Sequence, residues 1–203
     1  MSSFLDRLFK GGREGKDVEK RVLEAELSFL TSKFDEYLAQ RLFEKDRNDL
    51  LQKAYIKFLK QMSVLDAHTI WPISNELQLL ESYIDLYKST LDEAVHVKLT
   101  LHSETDEKIP ALLLFPLIAN AIHMGYNSIE ESPLKVKITA FDKVLTMELS
   151  NRVNHYIQSQ EDTISVQRFK QRVKLMFDED DYTLFFNSNS RTFKTFLQLK
   201  FNR

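Results

Sequence analysis

The sequence predicts an α+β fold: an N-terminal helical hairpin, then an α/β sandwich with a mixed sheet and helices on one face. Three observations predict it. Up to Leu91, apolar residues recur at alternating spacings of three and four, the signature of helices with one apolar seam. From Val95 onward, several short runs alternate with a period of two, as strands do. The order of these later runs is strand, helix, two strands, helix, two strands, which suits a mixed sheet covered on one side.

The chain has 203 residues, room for one large domain or two small ones. The expected division is an N-terminal segment and linker over 1–16, a helical hairpin over 17–68, and the sandwich over 69–203, including a linker helix over 73–91. Ser3 to Lys10 sets Phe4, Leu5, Leu8 and Phe9 against Asp6, Arg7 and Lys10. It reads either as a segment that docks on a partner or membrane surface, or as a frayed terminal helix packed on its own domain. Gly11 to Gly15 reads as a linker. The first seam is Leu23, Leu27, Leu30, Phe34 and Tyr37, and the second is Leu51, Tyr55, Phe58, Met62 and Leu65. The polar run Glu44 to Asn48 divides them. A lone hairpin leaves part of its seams wet, so a homodimer forming a four-helix bundle is expected.

A third seam, Ile73, Leu77, Leu80, Ile84, Tyr87 and Leu91, gives the linker helix. Val95, Val97, Leu99 and Leu101 then alternate as a strand. Pro110 suits the first position of a helix running to Met124, apolar nearly all round and therefore buried. Leu134–Val136–Ile138 and Leu145–Met147–Leu149 predict a strand pair joined at Phe141 to Lys143. A helix is expected from Ile164 to Phe177. Strands follow around Leu184 and Leu197, joined by the turn-rich stretch Asn187 to Ser190.

Composition excludes several functions. The net charge of −2 gives no case for nucleic acid or an anionic membrane. There are no cysteines, hence no disulfide, thiolate nucleophile or cysteine-bound zinc. No apolar run approaches the roughly 18 residues of a membrane span, and the start has no signal-peptide core, so a cytoplasmic address is expected. The five histidines form no helical ligand pair, so no metal site is expected. Asp178 to Asp181 reads as a solvated turn, or as a recruiter of a basic partner or a cation. Walker, dinucleotide and Gly-x-Ser-x-Gly motifs are absent. Beyond Gly15 the sequence holds a single glycine, Gly125, which poorly equips it to approach phosphates.

Three stretches carry a resemblance. Pro72 to Ile84 resembles the linker helix of LytS-type sensor histidine kinases. Ile109 to Gly125 resembles their N-box over seventeen positions, the most specific of the matches, and Ile164 to Phe177 resembles the helix after their nucleotide lid. With Lys194 to Phe201, the resemblance covers about residues 25 to 201. It implies a GHKL (Bergerat-type) ATPase domain behind a hairpin for dimerisation and histidine phosphorylation.

The departures from that pattern govern the functional expectation. Where the family has its phosphoacceptor histidine, this chain has Tyr37, and no histidine precedes His68. Asn120 is kept, the residue whose amide the family uses on the nucleotide's magnesium. The acidic residue before it is replaced by Ala119, and a glutamine by Phe115. A carboxylate can position groups around a transferring phosphate; alanine cannot. The family's next box aligns with Ser150-Asn151-Arg152-Val153-Asn154, which puts Ser150 at its adenine-reading acidic residue and Arg152 where it would intrude on the adenine. Its later glycines align with Thr163, Ser165 and Lys194, leaving Thr195. The lid is reduced to His155 to Asp162, a plain connection.

The resemblance therefore implies a vestigial nucleotide cleft at Asn120, Ser150, Asn151, Arg152 and Thr195, narrowed by side chains. No catalytic residue, cofactor or metal is expected. The expected function is a dimeric, non-catalytic signalling or scaffold protein of two-component signalling that does not autophosphorylate. Its expected partners are a histidine kinase or a response regulator, and no nucleic acid. The alternative is a divergent kinase or ATPase binding Mg-ATP through Asn120 and Thr195. A third reading places another ligand in the cleft.

Overall fold

A computed structural model describes residues 15–44, 49–90, 95–156 and 159–201. The Ser3–Lys10 segment, most of the glycine linker, Lys45 to Asn48 and Leu91 lie outside the described residues. The helices are α1 (Gly15–Lys33), α2 (Glu36–Glu44), α3 (Asp49–Ser63), α4 (Ile73–Thr90), α5 (Phe115–Met124) and α6 (Ile164–Met176). The strands are β1 (Ile70–Pro72), β2 (Val97–Glu104), β3 (Lys108–Pro110), β4 (Leu134–Phe141), β5 (Val144–Arg152), β6 (Tyr182–Ser188) and β7 (Thr192–Lys200).

The five-stranded sheet has the order β2-β4-β5-β7-β6. β2 runs parallel to β4 and the remaining neighbours are antiparallel. The mixed sheet expected from the sequence is therefore present. Alternation sorts its two faces: Val136, Ile138, Leu145, Met147, Leu197 and Leu199 are buried under the helices, while Lys135, Lys137, Lys194 and Lys200 point outward. Asp142 turns the β4–β5 hairpin with φ 51°, a conformation Asp tolerates better than most residues. A second sheet, β1 with β3, is small and was not foreseen. At three residues each, these strands are too short to show periodicity.

The first seam departs from expectation. It does not run through one helix: α1 stops at Lys33, and Asp35 starts α2 by accepting the Leu38 N–H through Oδ1 at 3.0 Å. An aspartate there favours a helix start over continuation, because its side chain satisfies an orphan donor. The inward face of α1 and α2 is Ala25, Ser28, Phe29, Leu38, Ala39 and Leu42. The expected seam, Leu23, Leu27, Leu30, Phe34 and Tyr37, is left 43% to 57% exposed. The second seam is spent inside the chain. Tyr55, Phe58, Met62 and Leu65 are buried, and the Phe58 ring lies 6.0 Å from Tyr83 and 6.5 Å from Phe115. One contiguous core joins Phe29, Leu38 and Phe58 to Leu145 and Leu197.

The entry to α5 is also corrected. Pro110 ends β3 and does not open a helix; α5 begins at Phe115, with Pro116 in its first turn. Between them, residues 111–114 are gripped by two buried, oppositely charged side chains, each bonded to the backbone. Glu76 of α4 accepts the N–H groups of Leu112 (2.8 Å) and Leu114 (2.9 Å) and the indole N–H of Trp71 (2.9 Å). Arg172 of α6 donates to the carbonyls of Leu112 (2.9 Å) and Ala111. These contacts hold Leu112 at φ 58°, which an L-leucine adopts only under tertiary restraint. Burial pushes the Glu76 carboxyl up to about 7, against the pull of its donors and Arg172, and lowers Arg172 to about 10.

Candidate functional site: the cleft beside helix α5

Two polar networks meet helix α5 within one turn of each other, at Asn120 and at His123. On the cleft side, Asn120 is buried with both ends of its amide engaged by the chain itself. Its Nδ2 donates to the Gln160 carbonyl at 3.1 Å, and its Oδ1 accepts from the Thr163 hydroxyl at 2.8 Å. Thr163 also caps α6, accepting from the Val166 N–H. Gln160 is 5% exposed. Its Nε2 donates to the carbonyl of Met124 at 2.7 Å, one of the orphan acceptors at the end of α5. Its Oε1 accepts from Asn151 Nδ2 at 3.2 Å.

The remaining cleft residues fall differently from expectation. Strand alternation turns only Asn151 inward from the Ser150-Asn151-Arg152 triplet. Ser150 faces the open side of the sheet, opposite Lys135 and Lys194, and Arg152 is exposed and does not intrude on the cleft. Thr195 is buried on β7, opposite Leu149, with no hydrogen bond to Asn120 among the described residues. Gly125 is retained for close packing. A Cβ there would come within 2.5 Å of the Ala121 carbonyl, 2.7 Å of Asn151 Nδ2 and 2.8 Å of Asn127 Oδ1. Phe115 is buried, its ring 5.4 Å from Tyr83, and it lines with Ala119, Asn120 and Asp35 a cavity of about 450 Å³ between α5 and the α1–α2 break. The connection expected to be plain is the source of Gln160; its residues 157 and 158 lie outside the described residues.

One turn along α5, His123 meets the helix break. Its Nε2 lies 3.1 Å from Asp35 Oδ2, which also accepts from the hydroxyls of Tyr83 and Tyr87. The His123 Nε2 also meets the Tyr87 hydroxyl. Burial alone would raise the Asp35 carboxyl, but the hydrogen bond and charge of His123, with the two tyrosine hydroxyls, hold it down at about 2. Tyr37, in the first turn of α2, lies beside this cluster, its ring 5.7 Å from His123 and its hydroxyl accepting from Arg41 at 3.0 Å.

Chemically, the cleft network is made of neutral amides and one hydroxyl. Asp35, a carboxylate lining the cavity by Ala119, is already committed to four donors, the Leu38 N–H, Tyr83, Tyr87 and His123. No cluster of metal-ligating side chains occurs among the described residues. The sequence offered no signal for Gln160 or for the Asp35–His123 contact, because both join positions far apart in the chain.

No family model matches the sequence, and no curated protein matches it. Solved structures do. The histidine kinase domain from Erythrobacter litoralis EL346, a blue-light activated histidine kinase, aligns at a TM-score of 0.50 and 12% identity, over 94% of this chain and 86% of that one. Acinetobacter baumannii histidine kinase AdeS aligns at 0.43 and 12% identity, over 92% and 98%. No helix among the described residues is long and apolar enough to cross a membrane. At such identities the likeness speaks for the fold: a helical segment and a five-stranded mixed sheet arranged as in histidine kinase domains.

Proposed function

We propose that this chain is a degenerate relative of LytS-type sensor histidine kinases, acting in two-component signalling as a non-catalytic, cytoplasmic scaffold. The observation that carries the reading is the double engagement of Asn120. An amide that holds magnesium in the kinases is here saturated by Gln160 and Thr163, and Gln160 also covers Asn151. A nucleotide entering the cleft would have to break these bonds, which lie in a dry setting where unmade hydrogen bonds are costly. Ala119 and Tyr37 remove the carboxylate and the imidazole that phosphotransfer would use. The exposed stripe from Leu23 to Tyr37 supports a homodimer formed through α1 and α2, and the docked partner would be a histidine kinase or response regulator.

Thermal melting with Mg-ATP tests the reading. A ligand at 100 times its dissociation constant stabilises by about 2.7 kcal/mol, readily seen as a shift. The expected result is no shift at millimolar Mg-ATP or adenosine, and no acid-labile label from radiolabelled ATP. Micromolar binding of adenosine and Mg-ATP alike by the unmodified protein would overturn it and favour the divergent enzyme built on Asn120 and Thr195.

A further inference from the structure

The open face of the sheet is less uniform than a solvated surface. Cross-strand register sets Lys98 directly opposite Lys135, Lys135 opposite Ser150, and Ser150 opposite Lys194. The next row outward pairs Arg152 with Thr192, and Arg191 precedes it. Like charges directly across a sheet repel and are normally relieved by carboxylates. One row further in, Lys137 has such relief in Glu148 at 3.5 Å. Lys98, Lys135, Arg152, Arg191 and Lys194 have no carboxylate within ion-pair distance among the described residues. They belong to a chain whose net charge is −2, so the positive charge is concentrated here against the overall balance.

These cations frame a concavity. Lys135, Arg152 and Arg191 line a cavity of about 480 Å³ together with Ser150 and Thr192, and Glu131 is the acidic residue on its rim. The three cations come from three places in the fold: β4, β5 and the β6–β7 turn. Between Ser150 and Arg152, Asn151 sends its side chain to the opposite face, to Gln160. The cavity therefore lies across the sheet from the nucleotide-type cleft.

We propose that this cavity binds a phosphoryl group. Two guanidinium forks, an ammonium and two hydroxyls match an anion with three terminal oxygens better than a planar carboxylate, which one fork satisfies. Glu131 repels any anion at the rim, but three cations outnumber it, so the net attraction grows with the ligand's charge and favours a dianion over a single carboxylate. The overall negative charge disfavours a long polyanion and suits a single phosphoryl group, free or carried by a protein.

Peptide binding followed by fluorescence anisotropy tests this, with a fluorescein-labelled phosphoserine peptide, its glutamate counterpart and its unphosphorylated form. The phosphoserine peptide should bind at least about tenfold more tightly than the glutamate peptide. Arg152→Ala with Arg191→Ala should abolish that preference, with melting unchanged because both residues are exposed, while Lys200→Ala at the far end of β7 should leave it intact. A parallel titration with inorganic phosphate, read by amide shifts at Arg152, Arg191 and Thr192, separates the sources. Shifts at low millimolar phosphate together with competition against the peptide assign the site to free phosphate as well; peptide binding without them assigns it to protein-borne phosphate. Equal binding of the glutamate peptide, an unaffected double variant, or no response in either titration overturns the proposal. Adenosine, which lacks phosphate, distinguishes this site from the cleft: ATP binding lost in the double variant, with adenosine silent, leaves the cleft reading untouched.

Discussion

The two networks that meet helix α5 solve different problems with different chemistry. Toward the α1–α2 break, Asp35, His123, Tyr83 and Tyr87 form a cluster around an ionised carboxylate that ties α2, α4 and α5 together. Toward the cleft, Asn120, Asn151, Gln160 and Thr163 form a neutral network that ties the end of α5 to α6 and β5. The ionised cluster is pH-sensitive and costly to disrupt. The neutral one has no titratable member and gains its effect by saturating groups that would otherwise attract a ligand. The fold thus keeps its charges where helices must be held, and keeps neutral amides along the cleft.

Among the polar contacts, the largest expected effect lies at the buried charges that precede α5. Glu76→Ala frees two buried backbone donors and the Trp71 indole and removes the negative charge that offsets buried Arg172, and should cost about 3–5 kcal/mol in urea unfolding. The wild-type glutamate has an opposite pH signature to Asp35. Its folded value of about 7 lies above the ordinary 4.5, so its contribution is fully present below pH 4.5 and is lost as pH rises through 7.

Asp35→Asn keeps the helix cap but removes the charge. It should cost about 1.5–3 kcal/mol, the range for hydrogen bonds to a charged group. Because Asp35 titrates at about 2 in the folded state against an ordinary 3.8, its contribution of about 2 kcal/mol is present above pH 4 and disappears as pH falls through 2. The asparagine variant should lack that acid ramp. An identical ramp in the variant would show that the carboxylate is not the group responsible.

Gln160→Ala should cost less, about 1–2 kcal/mol for hydrogen bonds to neutral partners, with the acid ramp unchanged. A change in the ramp would mean that the two networks are coupled through α5 and are not separate devices. The smallest effect on folding belongs to Leu30→Asp. Leu30 is 57% exposed, so stability should move by no more than about 0.5 kcal/mol, yet light scattering should report loss of the dimer. Phe58→Asp, on the seam spent inside the chain, should instead unfold the protein, since Phe58 is 4% exposed.

Much of the fold was legible because it rests on periodicity. The alternation of Leu134–Val136–Ile138 and Leu145–Met147–Leu149 located β4 and β5, and the spacing from Ile73 to Tyr87 located α4. What stayed hidden depends on contacts between distant residues. The delayed start of α5 follows from Glu76 and Arg172, which lie 36 and 60 positions from Leu112. The break at Asp35 was readable in principle, since an aspartate followed by helix formers is a start signal, but the regular spacing from Leu23 to Tyr37 masked it. For the cleft, assigning Ser150 by sequence register ignored strand parity. Leu149 faces the core, so Asn151 does too and Ser150 does not. Gln160 sits in an aperiodic polar stretch, where no local pattern distinguishes a buried glutamine from a solvated one.

The position of Gln160 also has a kinetic consequence. Because the group filling the cleft is part of the chain, it is never diluted away, and any small molecule bound for Asn120 and Asn151 must wait until Gln160 gives up its hydrogen bonds to them. Its association rate would then level off at the rate at which Gln160 is released, however high its concentration. Stopped-flow mixing with a fluorescent adenosine analogue would read this directly in any variant engineered to bind: a plateau in the observed rate for chains retaining Gln160, and a linear rise for those carrying Gln160→Ala.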